Sequence, residues 1–150
     1  MRVVILDNLR SAHNVGSIFR TASALQYSEV ALCGVTITPP AKKLSDSSRG
    51  TDKLISWKSF SATSEAINHY QEIGFHVVAL ETCPESQPIQ DMPKLDKLAW
   101  LVGNEAKGIC PSLLPGLKHI YYLPMLSEQS GINVSCAFSS AAYHDYFKNT

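Results

Sequence analysis

The stretch Leu123-Pro124-Met125-Leu126-Ser127-Glu128-Gln129-Ser130-Gly131-Ile132-Asn133-Val134-Ser135-Cys136-Ala137-Phe138 sets how the rest of the chain is read. It leaves an apolar segment, His119 to Leu123, that reads as a strand. It then crosses a small polar loop and enters a helical run from Asn133 to Phe147. At such a junction, backbone N–H groups and small side chains can hold a ligand. Gly, Ser and Asn are also the ordinary turn residues, so the loop alone identifies nothing more than a connection. Two earlier stretches repeat the arrangement.

Val3 to Leu6 is a short apolar run rich in β-branched residues and ended by Asp7-Asn8, which predicts a buried strand. Val15, Ile18, Phe19, Ala22 and Leu25 then share one helical face. Asn14 is read as the N-cap of that helix, and Gly16 and Ser17 keep its first turn slim. The other stretch is the strand Leu98 to Val102, opening into Gly103-Asn104-Glu105-Ala106-Lys107-Gly108-Ile109. Further strands are expected at Glu29 to Val35, Lys53 to Trp57 and Phe75 to Leu80. Helices are expected at Ser61 to Ile73 and, briefly, at Pro111 to Leu114, and the polar stretch Thr38 to Lys53 reads as a surface excursion. Six near-continuous apolar strands alternating with helices imply an α/β fold, a mostly parallel sheet with helices on both faces. Ligands of such sheets bind beyond the carboxyl ends of the strands. The loops after Leu6, Val102 and Leu123 meet there, and the candidate site is placed among them.

The length of 150 residues suggests one domain with its own core. Thirteen basic and 13 acidic side chains cancel, which argues against a protein that coats nucleic acid. A nucleic-acid partner would have to be held by a local patch, a second subunit or shape. Cys33, Cys83, Cys110 and Cys136 lie too far apart in sequence for a metal clip, and reduced thiols are expected. The N-terminus has only four consecutive apolar residues, Val3 to Leu6, too few for a signal peptide or a membrane span. The expectation is a cytoplasmic protein with no membrane and no metal. Neither a dinucleotide fingerprint, a P-loop nor a nucleophile-elbow motif is present. His13, His69, His76, His119 and His144 are scattered, and His69 and His144 are read as solvent-facing on helices.

Arg20 follows Ile18-Phe19 off the apolar face. The pattern allows a solvated arginine or a binder of an anion or hydroxyl at the site mouth, since a guanidinium presents a rigid fork of donors. Glu105 either orients a substrate or is a surface carboxylate, and Asn133 can cap its helix. Arg10, Lys42, Lys43, Arg49, Lys53 and Lys58 are either phosphate-backbone contacts or solvated charges.

Asn14 to Ala22 resembles the first motif of the SpoU/TrmH family of the SPOUT superfamily of RNA methyltransferases. Leu101 to Ile109 resembles its second motif. Leu123-Pro124-Met125 with Ile132 to Ala137 resembles its third. The three come in the family's order and spread over nearly the whole chain. The resemblance implies a C-terminal trefoil knot, which no residue pattern would suggest because knots are so rare. It implies a homodimer whose two sites each draw on both subunits, S-adenosyl-L-methionine held largely by backbone groups, and methyl transfer to a ribose 2′-hydroxyl of tRNA or rRNA. Relatives often carry a separate RNA-binding domain; 150 residues leave no room for one.

By position in the motifs, Arg20 would act on the 2′-hydroxyl. As a permanently charged group, it would do so by binding the neighbouring phosphate and lowering the hydroxyl's pKa. Asn14 would order Arg20 and the RNA, and Glu105 would hold the site's geometry. Gly103, Leu123 and Ile132 would hold the cofactor through their backbone, Asn133 would close the pocket, and Leu80 and Glu81 would form a wall. Asn104, Gly108, Pro124 and Met125 complete the implied cofactor set. Arg10, Arg20, Lys42, Lys43 and Arg49 would contact RNA. Two positions depart from the family's pattern. Ala106 replaces a glycine. Gly131 replaces a serine expected near the reacting hydroxyl, with Ser130 one place earlier as a substitute. Two alternatives remain: a SPOUT enzyme methylating a base nitrogen, against which the Arg20 motif argues, and a non-catalytic RNA-binding dimer, to which Gly131 and the neutral charge point.

Overall fold

The computed structural model describes residues 1–127 and 131–150. The apolar runs form β1 (Arg2–Asp7), β2 (Glu29–Cys33), β3 (Ser56–Phe60), β4 (His76–Leu80), β6 (Leu98–Val102) and β7 (His119–Tyr122), with a two-residue β5 (Gln87–Pro88). They make one sheet in the order β3-β2-β1-β6-β4-β7-β5. Every pairing is parallel. Among the described residues the sheet therefore has seven strands where six were expected. Gln87-Pro88 carries no apolar run, and its extended backbone is fixed by pairing with Tyr121-Tyr122.

Alternate strand residues face opposite layers. Val4, Leu6, Val30, Leu32, Val78, Trp100 and Val102 pack under α1 (Ala12–Ala24), α2 (Lys42–Ser48) and α4 (Val134–Asn149). Val3, Ile5, Ala31, Cys33, Val77, Ala79 and Leu101 pack under α3 (Thr63–Glu72). Side chains on both faces of β1 and β6 are buried, which explains their unbroken hydrophobicity. The Arg2 guanidinium meets the buried Asp145 carboxylate at 2.6 Å, tying the start of β1 to α4.

Several local expectations change. Ser11, not Asn14, caps α1, its hydroxyl accepting from the Asn14 N–H at 3.3 Å. The polar stretch after Thr38 is not an open excursion but contains α2 and a 3-10 turn, Thr51–Lys53. Its polar pattern hid the helix because only Leu44 contributes an apolar side chain to the core. Instead, α2 is seated by backbone approach. A Cβ at Gly16 would lie 2.6 Å from the Ser48 backbone nitrogen, and the Ser47 hydroxyl donates to the Ala12 carbonyl at 2.7 Å. The third strand begins at Ser56 rather than Lys53, and the brief helix expected from Pro111 is a 3-10 helix, Pro111–Gly116. His69 is half-buried between the Phe60 and Tyr70 rings, and His144 is half-buried on α4. Among the described residues, no helix is long and apolar enough to cross a membrane.

Candidate functional site

The loop leaving β6 is closed on itself. Asn104 and Gly108 exchange two backbone hydrogen bonds, at 3.0 and 2.9 Å. The closure requires a bare Gly103, because a Cβ there would lie 2.2 Å from both the Gly108 carbonyl carbon and the Ile109 nitrogen. Gly108 has φ +70°, a conformation that favours glycine. Ala106 is not among the positive-φ residues, so the extra methyl where the family has glycine is accommodated.

Carboxylates fasten this loop on three sides. Glu81, at the end of β4, accepts the Ile109 N–H at 2.8 Å and the Thr82 N–H at 2.9 Å. Asp7, buried at the end of β1, accepts the Cys110 N–H at 3.0 Å, the Thr63 hydroxyl at 2.6 Å and the Asn8 amide at 2.9 Å. Sequence reasoning missed Asp7; the only available signal was an acid ending a wholly apolar strand. Glu105 accepts the Ser11 N–H at 2.9 Å, the Arg10 N–H at 3.2 Å and the Asn14 amide at 3.3 Å. Burial pushes the Glu105 carboxyl up, but the donors from Ser11, its own backbone, Arg10 and Asn14 outweigh that and hold it below the ordinary glutamate value.

The first and third stretches meet through two amides. Asn133 donates to the Asn14 side-chain oxygen at 3.0 Å. The Asn133 oxygen accepts the Ser135 and Cys136 N–H groups at 2.9 and 3.3 Å, capping α4 as the sequence suggested. Glu105, Asn14 and Asn133 thus form one hydrogen-bonded chain from the β6 loop, through the first turn of α1, to the start of α4.

This chain borders a cavity of about 540 Å³ at the carboxyl ends of β4 and β6. Leu80, Val102, Ile132, Val134 and Ala137 give it apolar walls; Glu81, Asn104, Glu105 and Asn133 give it polar ones. A second hollow of about 250 Å³ continues it past Leu80, Glu81 and Ile132 to Leu123 and Met125. Of the expected cofactor set, Leu80, Glu81, Gly103, Asn104, Gly108, Leu123, Met125, Ile132 and Asn133 line one hollow or both. Pro124 is exposed and lines neither hollow. Val102, Lys107, Val134 and Ala137 are additions. Ala137 was findable, lying one helical turn beyond Asn133.

The remaining candidates are dispersed. Asn14 is buried behind the cavity wall. Arg20 is exposed, six residues or about 9 Å of helix further on, and lines neither hollow. Arg10 is exposed beside Glu105 and borders a neighbouring cavity of about 440 Å³. Lys42 and Lys43 lie exposed on α2, and Arg49 follows its end. Lys53 is exposed, as is Lys58, whose ammonium sits 5.1 Å over the Phe60 ring. Gly131 lines the cavity, and an added Cβ there meets nothing within 4 Å. Ser130, named as the substitute hydroxyl, lies outside the described residues. Burial pushes the Cys33 thiol up to about 12, which makes it inert.

The sequence profile described as the SpoU rRNA Methylase family matches residues 1–143. The chain is 28% identical over 148 residues to the 23S rRNA (adenosine(1067)-2′-O)-methyltransferase of Streptomyces azureus, covering 98% of this chain and 55% of that protein. An AdoMet-bound rRNA methyltransferase from Sinorhizobium meliloti superposes with a TM-score of 0.91 at 23% identity, covering 99% of this chain and 57% of the other. A structure described as giving insight into the 2-OH methylation of C/U34 on tRNA superposes with a TM-score of 0.88 at 18% identity, covering 99% and 96%. The chain thus spans a little over half the length of the curated relative and nearly the full length of the last structure.

Proposed function

Because the chain belongs to the SpoU rRNA Methylase family, we propose that it is an S-adenosylmethionine-dependent RNA methyltransferase acting on a ribose 2′-hydroxyl of tRNA or rRNA. One observation carries the reading. The second and third motif stretches line a single cavity, and the first is locked to both through the Glu105–Asn14–Asn133 chain behind its wall.

The residues present fit the cofactor. The cavity volume is that of a small-molecule site. Its apolar walls suit an adenosyl group, and at Gly103 no side chain stands between the backbone and the cavity. Leu80, Glu81, Gly103, Leu123 and Ile132 would hold the cofactor, which when bound supplies an electrophilic methyl on a sulfonium. Asn133 fixes the start of α4 against the cavity, and Glu105 holds the β6 loop to α1. The protein's task is then alignment and exclusion of water.

Arg20 does not reach the cavity of its own chain, which favours a homodimer in which each copy lends Arg20 to the other's site. The α1 stripe His13, Ser17, Arg20 and Ala24, exposed or half-exposed, and the exposed α4 stripe Cys136, Ser140, Tyr143 and Phe147 offer that contact. There the guanidinium binds a substrate phosphate and, by its charge, favours ionisation of the adjacent hydroxyl. A trefoil knot belongs to the same reading. It is supported by β7 entering between β4 and β5, strands already joined by residues 81–86. With RNA as the proposed substrate, we place the protein in the cytoplasm.

Calorimetry with S-adenosylmethionine should give saturable binding. Mass spectrometry of nucleosides from tRNA and rRNA of a deletion strain should show one 2′-O-methylated nucleoside lost. Unchanged ribose methylation in both would overturn the proposal. Gly131 supports a second reading, a non-catalytic RNA-binding dimer; a folded dimer that binds no S-adenosylmethionine would decide for it.

A further inference from the structure

Residues 41–60 carry Lys42, Lys43, Arg49, Lys53 and Lys58 against only Asp46 and Asp52, a net charge of +3 (5 − 2) in a chain whose total is zero. The fold turns part of the acid inward. Asp52 is 4% exposed, and its carboxylate accepts hydrogen bonds from the Ser45 and Ser48 hydroxyls. None of these five cations is in a salt bridge among the described residues.

Beside this charge runs a groove of about 540 Å³ that shares no residue with the cofactor cavity. Pro39, Pro40, Lys53, Leu54 and Trp57 line it, with Asp52 at its floor, its carboxylate engaged by the Ser45 and Ser48 hydroxyls. Trp57 is 39% exposed and Leu54 77%, unusual for large apolar side chains beside an outer strand. Side chains alternate along β3, so Lys58 belongs to the other face, over Phe60, and is not part of the groove. Lys42 lies three before Ser45 and so shares its side of α2, whereas Arg49 follows the helix end in a left-handed conformation. The groove therefore joins an open aromatic ring to cations on one side of the molecule. β3 lies two strands from β1, about 10 Å across the sheet.

An aromatic ring stacks on any unpaired base, and cations alongside meet the phosphates; a duplex keeps its bases out of reach. We propose that this groove binds an unpaired stretch of the substrate RNA, with a base stacked on Trp57 and its phosphates facing Lys53 and Lys42. The inference rests on the RNA methyltransferase reading and adds a second contact region to it. A protein partner would use the apolar groove but would not require the cations.

Trp57 and Trp100 are the two tryptophans, and Trp100 is fully buried on β6, so quenching of tryptophan emission by RNA reports Trp57. The probe is a short single-stranded oligoribonucleotide, with its duplex as comparison. The single strand should quench and the duplex should not. Trp57→Leu should abolish quenching and weaken binding about tenfold by anisotropy, while Trp57→Phe should keep most of the affinity. Lys53→Gln should reduce the slope of log affinity against log salt by about one. Binding without quenching, equal quenching by the duplex, or unchanged affinity of Trp57→Leu would overturn the proposal, and the first would leave a protein partner for this groove. Calorimetry with S-adenosylmethionine on wild type and Trp57→Leu keeps the two readings apart. Loss of RNA affinity with unchanged cofactor affinity supports the groove; absence of cofactor binding in wild type refutes the enzyme reading instead.

Discussion

Replacing Gly103 by Ala tests whether the tight β6 loop shapes the cofactor cavity. The new methyl would lie 2.2 Å from the Gly108 carbonyl carbon and the Ile109 nitrogen, both backbone atoms that no rotamer change can move away. Ordinary carbon contacts are about 3.5–4.0 Å, so the loop must open by more than about 1 Å. That strains or breaks the two Asn104–Gly108 hydrogen bonds. At about 0.5–1.5 kcal/mol each, their loss costs about 1–3 kcal/mol. For a chain of this size, Tm should fall by roughly 3–10 °C. Asn104, Glu105 and Gly108 all line the cavity, so its wall moves with the loop, and S-adenosylmethionine affinity should fall about tenfold or more, the equivalent of about 1.4 kcal/mol. Differential scanning calorimetry and titration calorimetry measure the two effects. Gly131→Ala is the control, because a Cβ there meets nothing within 4 Å; its Tm should change by less than about 2 °C. A Gly103→Ala protein with wild-type Tm and wild-type cofactor affinity would refute the reasoning.

Other predictions follow from the same site. Arg20→Ala should keep cofactor affinity within a few-fold, since Arg20 lines neither hollow, yet lose most methyl transfer to RNA; parallel loss of both in calorimetry and turnover would remove its assigned role. Because the folded Glu105 carboxyl is held below its ordinary value, its stabilisation is complete above the ordinary glutamate range near pH 4.3 and is lost as pH falls through the lowered folded value. The Tm difference between wild type and Glu105→Gln should accordingly be constant from neutral pH to about pH 5 and vanish in stronger acid; a difference independent of pH would contradict this. Asn14→Ala should destabilise by about 1–3 kcal/mol in urea unfolding, because the Asn133 amide and a Glu105 oxygen each lose a partner. Gly131→Ser should leave stability unchanged, and a rise in methyl transfer would mean that a missing hydroxyl limits the proposed reaction.

What the amino-acid sequence determined by itself was local and periodic. Unbroken apolar runs at Val3–Leu6 and Leu98–Val102 predicted strands buried on both faces, because alternate side chains meet two covering layers. The second and third motif stretches named most of the residues that line the cavity, since each follows the end of a strand. The misses are the parts held by partners distant in the chain. Gln87-Pro88 becomes a strand only by pairing with β7, and α2 is a helix with one core leucine, seated by Gly16. Asp7 anchors the loop through Thr63 and Cys110, neither foreseeable from its own neighbours. Only the tertiary structure decided that Asn14, an expected helix cap, instead joins Glu105 to Asn133, and that Pro124 faces outward beside Leu123 and Met125. The physical reason is the same throughout. Periodicity records which side of an element is dry, whereas a hydrogen bond between residues 91 or 119 positions apart leaves no trace in either local pattern.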